Sequence, residues 1–269
     1  MAWQTVARRD VGVTVGSRSS RVLLWLTGLS VVLGAYVYPV LGSAPITTAR
    51  FGGFLAGWLT TLLPFVGVLL GYGAVVNERE SGALRLSLSL PNSRLDVVFG
   101  KFCSRAGLLT GTLFVSLVTA GALVVYPFGE LVLGRFLAFT VVTLIFGSVW
   151  CGLGLATSLL VATRRRALVL SFAQVFLSVV VWDAVEAALR AGLDAAGVIE
   201  GALPAPAQFL LGIEPGRVFQ RIVDGLVTGS IVADGQWYLN EWVALVLLVG
   251  WSVGPLGLAY ASFVRRDVS

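Results

Sequence analysis

Six long apolar stretches dominate the sequence, and each has the roughly 20 residues that a helix needs to cross a bilayer. They cover approximately residues 22–41, 53–76, 106–126, 136–161, 168–189 and 242–264. Each stretch is continuously apolar, whereas a strand of a membrane barrel would alternate and be about half as long. The sequence therefore predicts an all-α, polytopic membrane protein in which six transmembrane helices form a single domain.

The composition supports this class and argues against most soluble enzymes. Apolar residues make up 57% of the chain and charged residues 12%, a charged fraction well below that of soluble domains. The chain has no histidine, so a HExxH zinc motif is impossible. Gly100-Lys101 is followed by Phe102 and lacks the remainder of a nucleotide-binding P-loop. We expect no catalytic residue, no metal site and no cofactor.

The distribution of arginines predicts the orientation of the chain. Most basic residues lie on one side if the N-terminus is cytoplasmic, as the positive-inside rule requires. Both termini are therefore predicted to be cytoplasmic, with residues 22–41 retained as a span and not removed as a signal peptide.

The extracytoplasmic side is predicted to carry one long segment, residues 190–241. An amphipathic helix is expected from Pro215 onward, lying at the outer interface or packing against the bundle. Asp183 and Glu186 fall near the outer end of the fifth span, where water is expected to reach them. The other spans have no charged residue near their middle, which disfavours a proton-driven secondary transporter.

Small residues at a spacing of four occur in several spans. The pairs are Gly53–Gly57, Gly67–Gly71, Gly107–Gly111 and Gly250–Gly254. This spacing permits close approach of helices, but in a chain with 32 glycines no pair is favoured over the others.

The loop between the second and third spans, residues 77–105, has the most distinctive sequence. Pro91 ends a first amphipathic piece, and Ser93 with Asp96 has the spacing of a capping box, which predicts a new helix near Arg94. Leucines at 84, 86, 88 and 90 alternate as in a strand, but a strand here would have no partner. We therefore prefer a short helix before Pro91.

The order of acids, glycine, leucines, proline and Gly-Lys in this loop resembles the corresponding loop of permease subunits of type 2 ABC transporters. It is similar in particular to the branch that includes the permease of nitrous-oxide-reductase maturation. The family often has threonine where this chain has Ala83. The resemblance implies a role in coupling to an ATPase for Glu78, Arg79, Glu80, Gly82, Leu84, Arg85, Leu88, Pro91, Arg94, Gly100 and Lys101.

This resemblance also implies the partners of the chain. A separate P-loop ATPase subunit would bind and hydrolyse ATP, and residues 77–105 would dock into it as a coupling helix. Residues 1–21 would form an interfacial elbow helix before the first span, although Asp10 lies on its apolar face. Glu78 and Glu80 are expected to meet basic groups of the ATPase, whereas Arg85 and Arg94 would meet acidic groups or lipid phosphates. Two permeases, identical or paralogous, and two ATPases would form the working unit in the cytoplasmic membrane of a prokaryote, in contact with lipid but not with nucleic acid.

Two other functions remain open at this stage. The chain could be a permease-like subunit or scaffold that transmits ATPase motion to an outer partner without a substrate path. Less favoured is a secondary transporter. Positive inner loops are general in membrane proteins, so residues 77–105 could also be a solvated loop whose arginines only set topology. The sequence points to no substrate, and with two cysteines and only Met1 it offers a soft metal few ligands.

Overall fold

The computed structural model describes residues 2–42, 44–83, 93–126, 129–199, 203–230 and 236–265. Helices account for nearly all of this part of the chain, and none of the described residues forms a strand. The α-helices are α1 (Ala2–Gly16), α2 (Arg18–Leu41), α3 (Thr48–Gly71), α4 (Val76–Glu80), α5 (Arg94–Val125), α6 (Leu133–Leu160), α7 (Arg164–Phe176), α8 (Trp182–Ala195), α9 (Ala205–Leu211), α10 (Pro215–Ile222) and α11 (Glu241–Arg265).

Six of these helical stretches are long and apolar enough to cross a membrane, which confirms the predicted fold class. The fifth is a composite, because α7 and α8 are joined through a π-helical turn at Leu177–Val181 into one stretch, Arg164–Ala195. A second π-helical turn, Val223–Thr228, extends α10, and a short 3-10 helix, Trp237–Leu239, precedes α11. Wide turns of this kind interrupt the regular helical ladder and often occur where helices bend.

Helices α3 and α6 form the centre of the bundle and touch through their backbones. A Cβ atom on Gly71 would lie 2.5 Å from the carbonyl oxygen of Cys151, and one on Gly154 would lie 2.6 Å from that of Val68. Gly67 approaches Trp150 equally closely. Gly67–Gly71 therefore differs from Gly107–Gly111 and Gly250–Gly254, where no described atom lies within 4 Å of a Cβ. In the pair Gly53–Gly57, only Gly53 has a close neighbour, a side-chain atom of Thr228.

The remaining helices pack around this central pair. Helix α5 contacts both α6 and α2, α11 contacts α6, and α1 lies against α5. Burial decreases sharply outward, because two-thirds of the most apolar part of α3 and of α6 is buried but only 11% of that of Arg164–Ala195. The outer faces of the peripheral helices are apolar, as expected for surfaces that lipid or another membrane subunit covers.

Helix α10 packs into the bundle with its apolar stripe inward. Val218, Phe219 and Ile222 are fully buried, and the ring of Phe219 stacks on that of Phe146 with centroids 4.5 Å apart. Two indole N–H groups hold the neighbouring chain: Trp182 donates to the carbonyl of Leu211 at 2.7 Å, and Trp251 donates to that of Ile213 at 2.8 Å. Of the two placements considered for this helix, it takes the one against the bundle.

Candidate coupling site at the termini end

The candidate coupling residues gather at one end of the bundle. Here α1 packs against the start of α5, and the Arg94 guanidinium donates to the carbonyl oxygens of Phe263 and Val264 in the last turn of α11. Because the first helix and the end of the last helix meet here, we call it the termini end. The capping box predicted for Ser93 and Asp96 is present and begins α5.

Helix α4 starts from a turn that α6 caps. After α3 ends at Gly71, the chain turns, and the hydroxyl oxygen of Ser158 accepts from the backbone N–H groups of Val75 and Val76 at 3.0 and 2.9 Å. Ser158 is fully buried, so this single oxygen satisfies two amide groups that water cannot reach. The turn thereby sets the direction in which Glu78, Arg79 and Glu80 leave the bundle.

Arg79 and Glu80 tie α4 to the connection between α6 and α7. The Arg79 guanidinium donates to the carbonyl of Val161 at 2.5 Å and lies 5.7 Å from the ring centre of Phe263. Glu80 accepts from the backbone N–H of Arg164, the first residue of α7, at 2.8 Å. Both side chains therefore hold elements of this chain together at the termini end.

Glu78 makes its contact across the loop, with the start of α5. The Lys101 ammonium donates to Glu78 at 2.7 Å and to Asp10 of α1 at 3.2 Å. The Lys101 and Asp10 side chains are 3% and 5% exposed, so this ion pair lies away from water. A charge in such a place requires an opposite charge and hydrogen bonds, and Lys101 has both.

Arg105, one turn further along α5, completes the group. Its Nε donates to Asp10 at 3.1 Å, and another of its nitrogens donates to the carbonyl of Leu70 at the end of α3. We call Asp10, Glu78, Lys101 and Arg105 the Asp10 cluster. Burial alone would raise the pKa of Asp10, but the Arg105 and Lys101 cations and their hydrogen bonds outweigh burial and hold that pKa below its usual value.

Gly100 permits the close approach of α1 that the Asp10 cluster needs. A Cβ at this position would lie 2.7 Å from the carbonyl oxygen of Trp3 and 2.9 Å from the Val6 Cβ. The neighbouring ring of Phe99 packs edge-on against Trp3 with centroids 5.2 Å apart. The two residues of the Gly-Lys pair therefore have different structural roles. Gly100 leaves room for α1, and Lys101 binds the Asp10 carboxylate on α1.

Arg94 and Arg79 share an aromatic partner although they come from opposite ends of the loop. Both guanidinium groups lie over the ring of Phe263, at 5.5 and 5.7 Å from its centre. Gly82, just after α4, has a φ of +75°, which favours glycine there. The other four candidate residues, Leu84, Arg85, Leu88 and Pro91, and the short helix predicted before Pro91 lie outside the described residues.

Sequence reasoning missed four residues of this site: Asp10, Arg105, Ser158 and Phe263. In the sequence alone, Asp10 is only a charge that interrupts the apolar face of the first helix. A lone acid on an apolar face is a usable signal, because a buried carboxylate requires a basic partner. The described residues hold no group of three or more potential metal ligands. The site offers interlocked ion pairs that join helices.

The fold and this site define a polytopic α-helical membrane subunit whose loop after the second span is braced against the first helix. The chain belongs to a family described as ABC-2 family transporter protein, whose model matches residues 10–268. It is therefore a membrane subunit of the ABC transporter class, a family whose members associate with an ATPase subunit.

Two curated relatives cover nearly the whole chain. One is a probable ABC transporter permease protein NosY of Pseudomonas aeruginosa, 26% identical over 98% of both chains. The other carries the same description in Stutzerimonas stutzeri and is 29% identical over 97% of both chains. The resemblance to the permease branch inferred from the inner loop is thus confirmed.

Proposed function

We propose that this chain is the permease subunit that couples ATP hydrolysis by a separate ATPase to movement of a substrate across the cytoplasmic membrane of a prokaryote. The termini end would face the cytoplasm, in agreement with the distribution of arginines. Residues 77–105 would contact the ATPase. The single observation that carries this proposal is the Asp10 cluster, which connects both ends of that segment to the spans.

Coupling requires that a push on the loop reaches the transmembrane helices. Glu78 lies at the entry of residues 77–105 and Lys101 near its exit, and their ion pair closes the segment at its base. Arg105 continues the connection to the end of α3 through the carbonyl of Leu70. A displacement of the loop would therefore be carried into α3, α5 and α1 together and would not be lost in a flexible linker.

The same contacts revise the expected role of the charged residues. Glu78 and Glu80 were expected to reach basic groups of the ATPase, but each already has an acceptor role inside the chain. In the proposal, these residues position the loop, and contact with the ATPase falls to the loop residues between them and Arg94. Arg85 is the charged candidate in that stretch.

A second permease copy would complete the transporter. The described helices with most apolar surface exposed are the peripheral ones, above all Arg164–Ala195. Such faces suit a partner subunit or lipid. A scaffold that transmits ATPase motion without a substrate path remains the second candidate, since the same brace would serve it. A secondary transporter fits less well, because Asp183 and Glu186 are engaged in ion pairs with Arg217.

The test is a pull-down of the tagged chain in mild detergent, with mass spectrometry of the proteins that accompany it. We expect a P-loop ATPase in nearly equal amount, and Arg85→Glu should reduce its recovery. Arg9→Glu is the matched control, because it reverses an exposed charge on α1 outside residues 77–105. Recovery of the chain alone from cells that make such an ATPase would contradict the proposal, as would equal recovery with both variants.

A further inference from the structure

The end of the bundle opposite the termini end contains an open cavity of about 370 Å³ between α8, α9 and α10. Its lining combines three arginines, two carboxylates and a glycine with apolar side chains. The charged residues of the lining are Glu186, Arg190, Arg217, Arg221 and Asp224, and the glycine is Gly212. Nothing in the proposed coupling at the termini end uses this cavity.

The carboxylates near the cavity are already engaged by groups other than Arg221. Glu186 binds Arg190 at 3.1 Å and Arg217 at 2.8 Å. Asp224 accepts from the side-chain amide of Gln220 at 3.0 Å. The acids that line the cavity thus leave one of its three arginines without a counter-charge.

That arginine is Arg221. Its Nη1 atom is shut off from water and has no hydrogen-bond partner within the described part of the chain. Burial lowers the pKa of Arg221, and no carboxylate of the described residues offsets this effect. A guanidinium that is partly removed from water and has no carboxylate partner among the described residues is costly, and an anion that entered the cavity would relieve this cost.

Gly212 makes the room that the Arg221 side chain occupies. A Cβ at this position would collide with Arg221 Nη2 and would lie 2.8 Å from the carbonyl oxygen of Gln208. The φ of Gly212 is −78°, an ordinary value for any residue, so the backbone itself does not require glycine. Glycine is needed at position 212 because the Arg221 guanidinium occupies the space that a side chain would fill.

We propose that this cavity binds a phosphate group through Arg221. The planar guanidinium can donate two parallel hydrogen bonds to phosphate oxygens. Leu203 and Leu211 add apolar lining beside the charged groups. The phosphate could belong to a phospholipid headgroup or to a free phosphate ion or ester, and both sources share this chemistry.

The position of the cavity favours the lipid source. Helix α9, which forms one wall, packs against the 3-10 helix, where Phe209 meets the ring of Tyr238 with centroids 5.5 Å apart. The adjacent Trp237 is 74% exposed, and Trp242 is exposed at the start of α11. Exposed tryptophans of this kind mark the level of the lipid headgroups, so the cavity lies where phosphates are abundant.

The test measures binding to the full chain together with its co-purifying subunits. The delipidated protein is offered phosphatidylglycerol, and retained lipid is counted by native mass spectrometry. In a second arm, inorganic phosphate is titrated by calorimetry. Arg221→Gln should weaken binding at least about tenfold, as expected for loss of a bidentate charged pair. The affinity of Arg221→Lys should lie between that of Arg221→Gln and that of the unaltered protein. Arg135→Gln, which removes an exposed arginine that does not line the cavity, is the control and should bind as the unaltered protein does.

A further variant separates the shape of the site from its charge. Gly212→Ala keeps every charge but displaces the guanidinium, so it should weaken binding as well. Retention of lipid with no response to inorganic phosphate would identify a lipid headgroup, and the reverse would identify a soluble phosphate. The proposal is overturned if folded Arg221→Gln or Arg221→Lys binds both probes as tightly as the control. Because the readout is binding, this result does not depend on whether the chain couples to an ATPase.

Discussion

The Lys101 ammonium lies 2.7 Å from a carboxylate oxygen of Glu78, so the exit of the inner loop is bound to its entry. The same ammonium reaches Asp10 at 3.2 Å and thereby adds the first helix to this contact. Three segments far apart in sequence thus share one buried cation. The stability of the termini end should depend strongly on this lysine.

Lys101→Met should destabilise the folded protein by about 3 kcal/mol, because it leaves a buried carboxylate with fewer partners. The value falls at the lower end of the usual range, since Arg105 still neutralises Asp10. Unfolding by SDS in mixed micelles, followed by tryptophan fluorescence, measures the loss. Arg9→Met on the exposed side of α1 is the control.

The double variant Asp10→Asn with Lys101→Met tests the pairing directly. When both charges of a buried pair are removed, neither remains unpaired, so the double variant should be more stable than the sum of the single effects predicts. Strictly additive losses would show that the two charges do not interact.

The termini end should weaken in acid. The folded-state pKa of Asp10 lies below the unfolded value of 3.8, so the ionised carboxylate stabilises the fold at all pH values above 3.8. This contribution is lost as the pH falls through the lower pKa of the folded protein. Unfolding midpoints measured from neutral pH to well below pH 3.8 should show the loss, and Asp10→Asn should remove this part of the pH dependence. An unchanged profile in Asp10→Asn would contradict the assignment.

Ser158→Ala should cost about 1–3 kcal/mol for each buried amide that loses its acceptor. Two such amides, those of Val75 and Val76, depend on this hydroxyl. Ser148→Ala is a matched control, because the Ser148 hydroxyl only donates to the carbonyl of Leu144 in its own helix. Hydrogen exchange of a peptide spanning residues 72–80 should accelerate in Ser158→Ala and stay unchanged in the control.

Gly71→Ala should lower the yield and stability of the folded protein, because the added methyl group would meet the backbone of α6. Overpacking of this kind typically costs about 1–3 kcal/mol. Gly250→Ala is the comparison, since no atom of the described residues lies within 4 Å of a Cβ there. If both variants unfold at the same SDS concentration, the backbone contact between α3 and α6 is not as close as described.

Features that depend on nearby residues could be predicted from the sequence. The six spans follow from continuous apolar runs, and the capping box at Ser93 and Asp96 follows from a spacing of three residues. The special status of Gly67–Gly71 could not be predicted, because every spaced glycine pair has the same local pattern. What distinguishes it is Gly154 on another helix, which the pattern does not specify.

The Asp10 cluster shows the same limit for charged residues. Lys101 belonged to a recognisable pattern, but its partner Asp10 is 91 residues away in sequence and lies on a different helix. From the sequence, the arginines near Lys101 predict only the orientation of the chain in the membrane. Packing alone decides that Arg105 reaches a carboxylate and the last turn of α3.

The backbone contact between α3 and α6 limits how the molecule can move. Neither helix can roll about its axis without driving carbonyl groups into its neighbour at Gly71 and Gly154. Their other ends are also joined, because the backbone N–H of Thr48 donates to Glu130 and its hydroxyl accepts from Val132. The two helices would therefore move as one rigid unit about 36 Å long. A tilt of this unit at one membrane surface would be transmitted in full to the other surface.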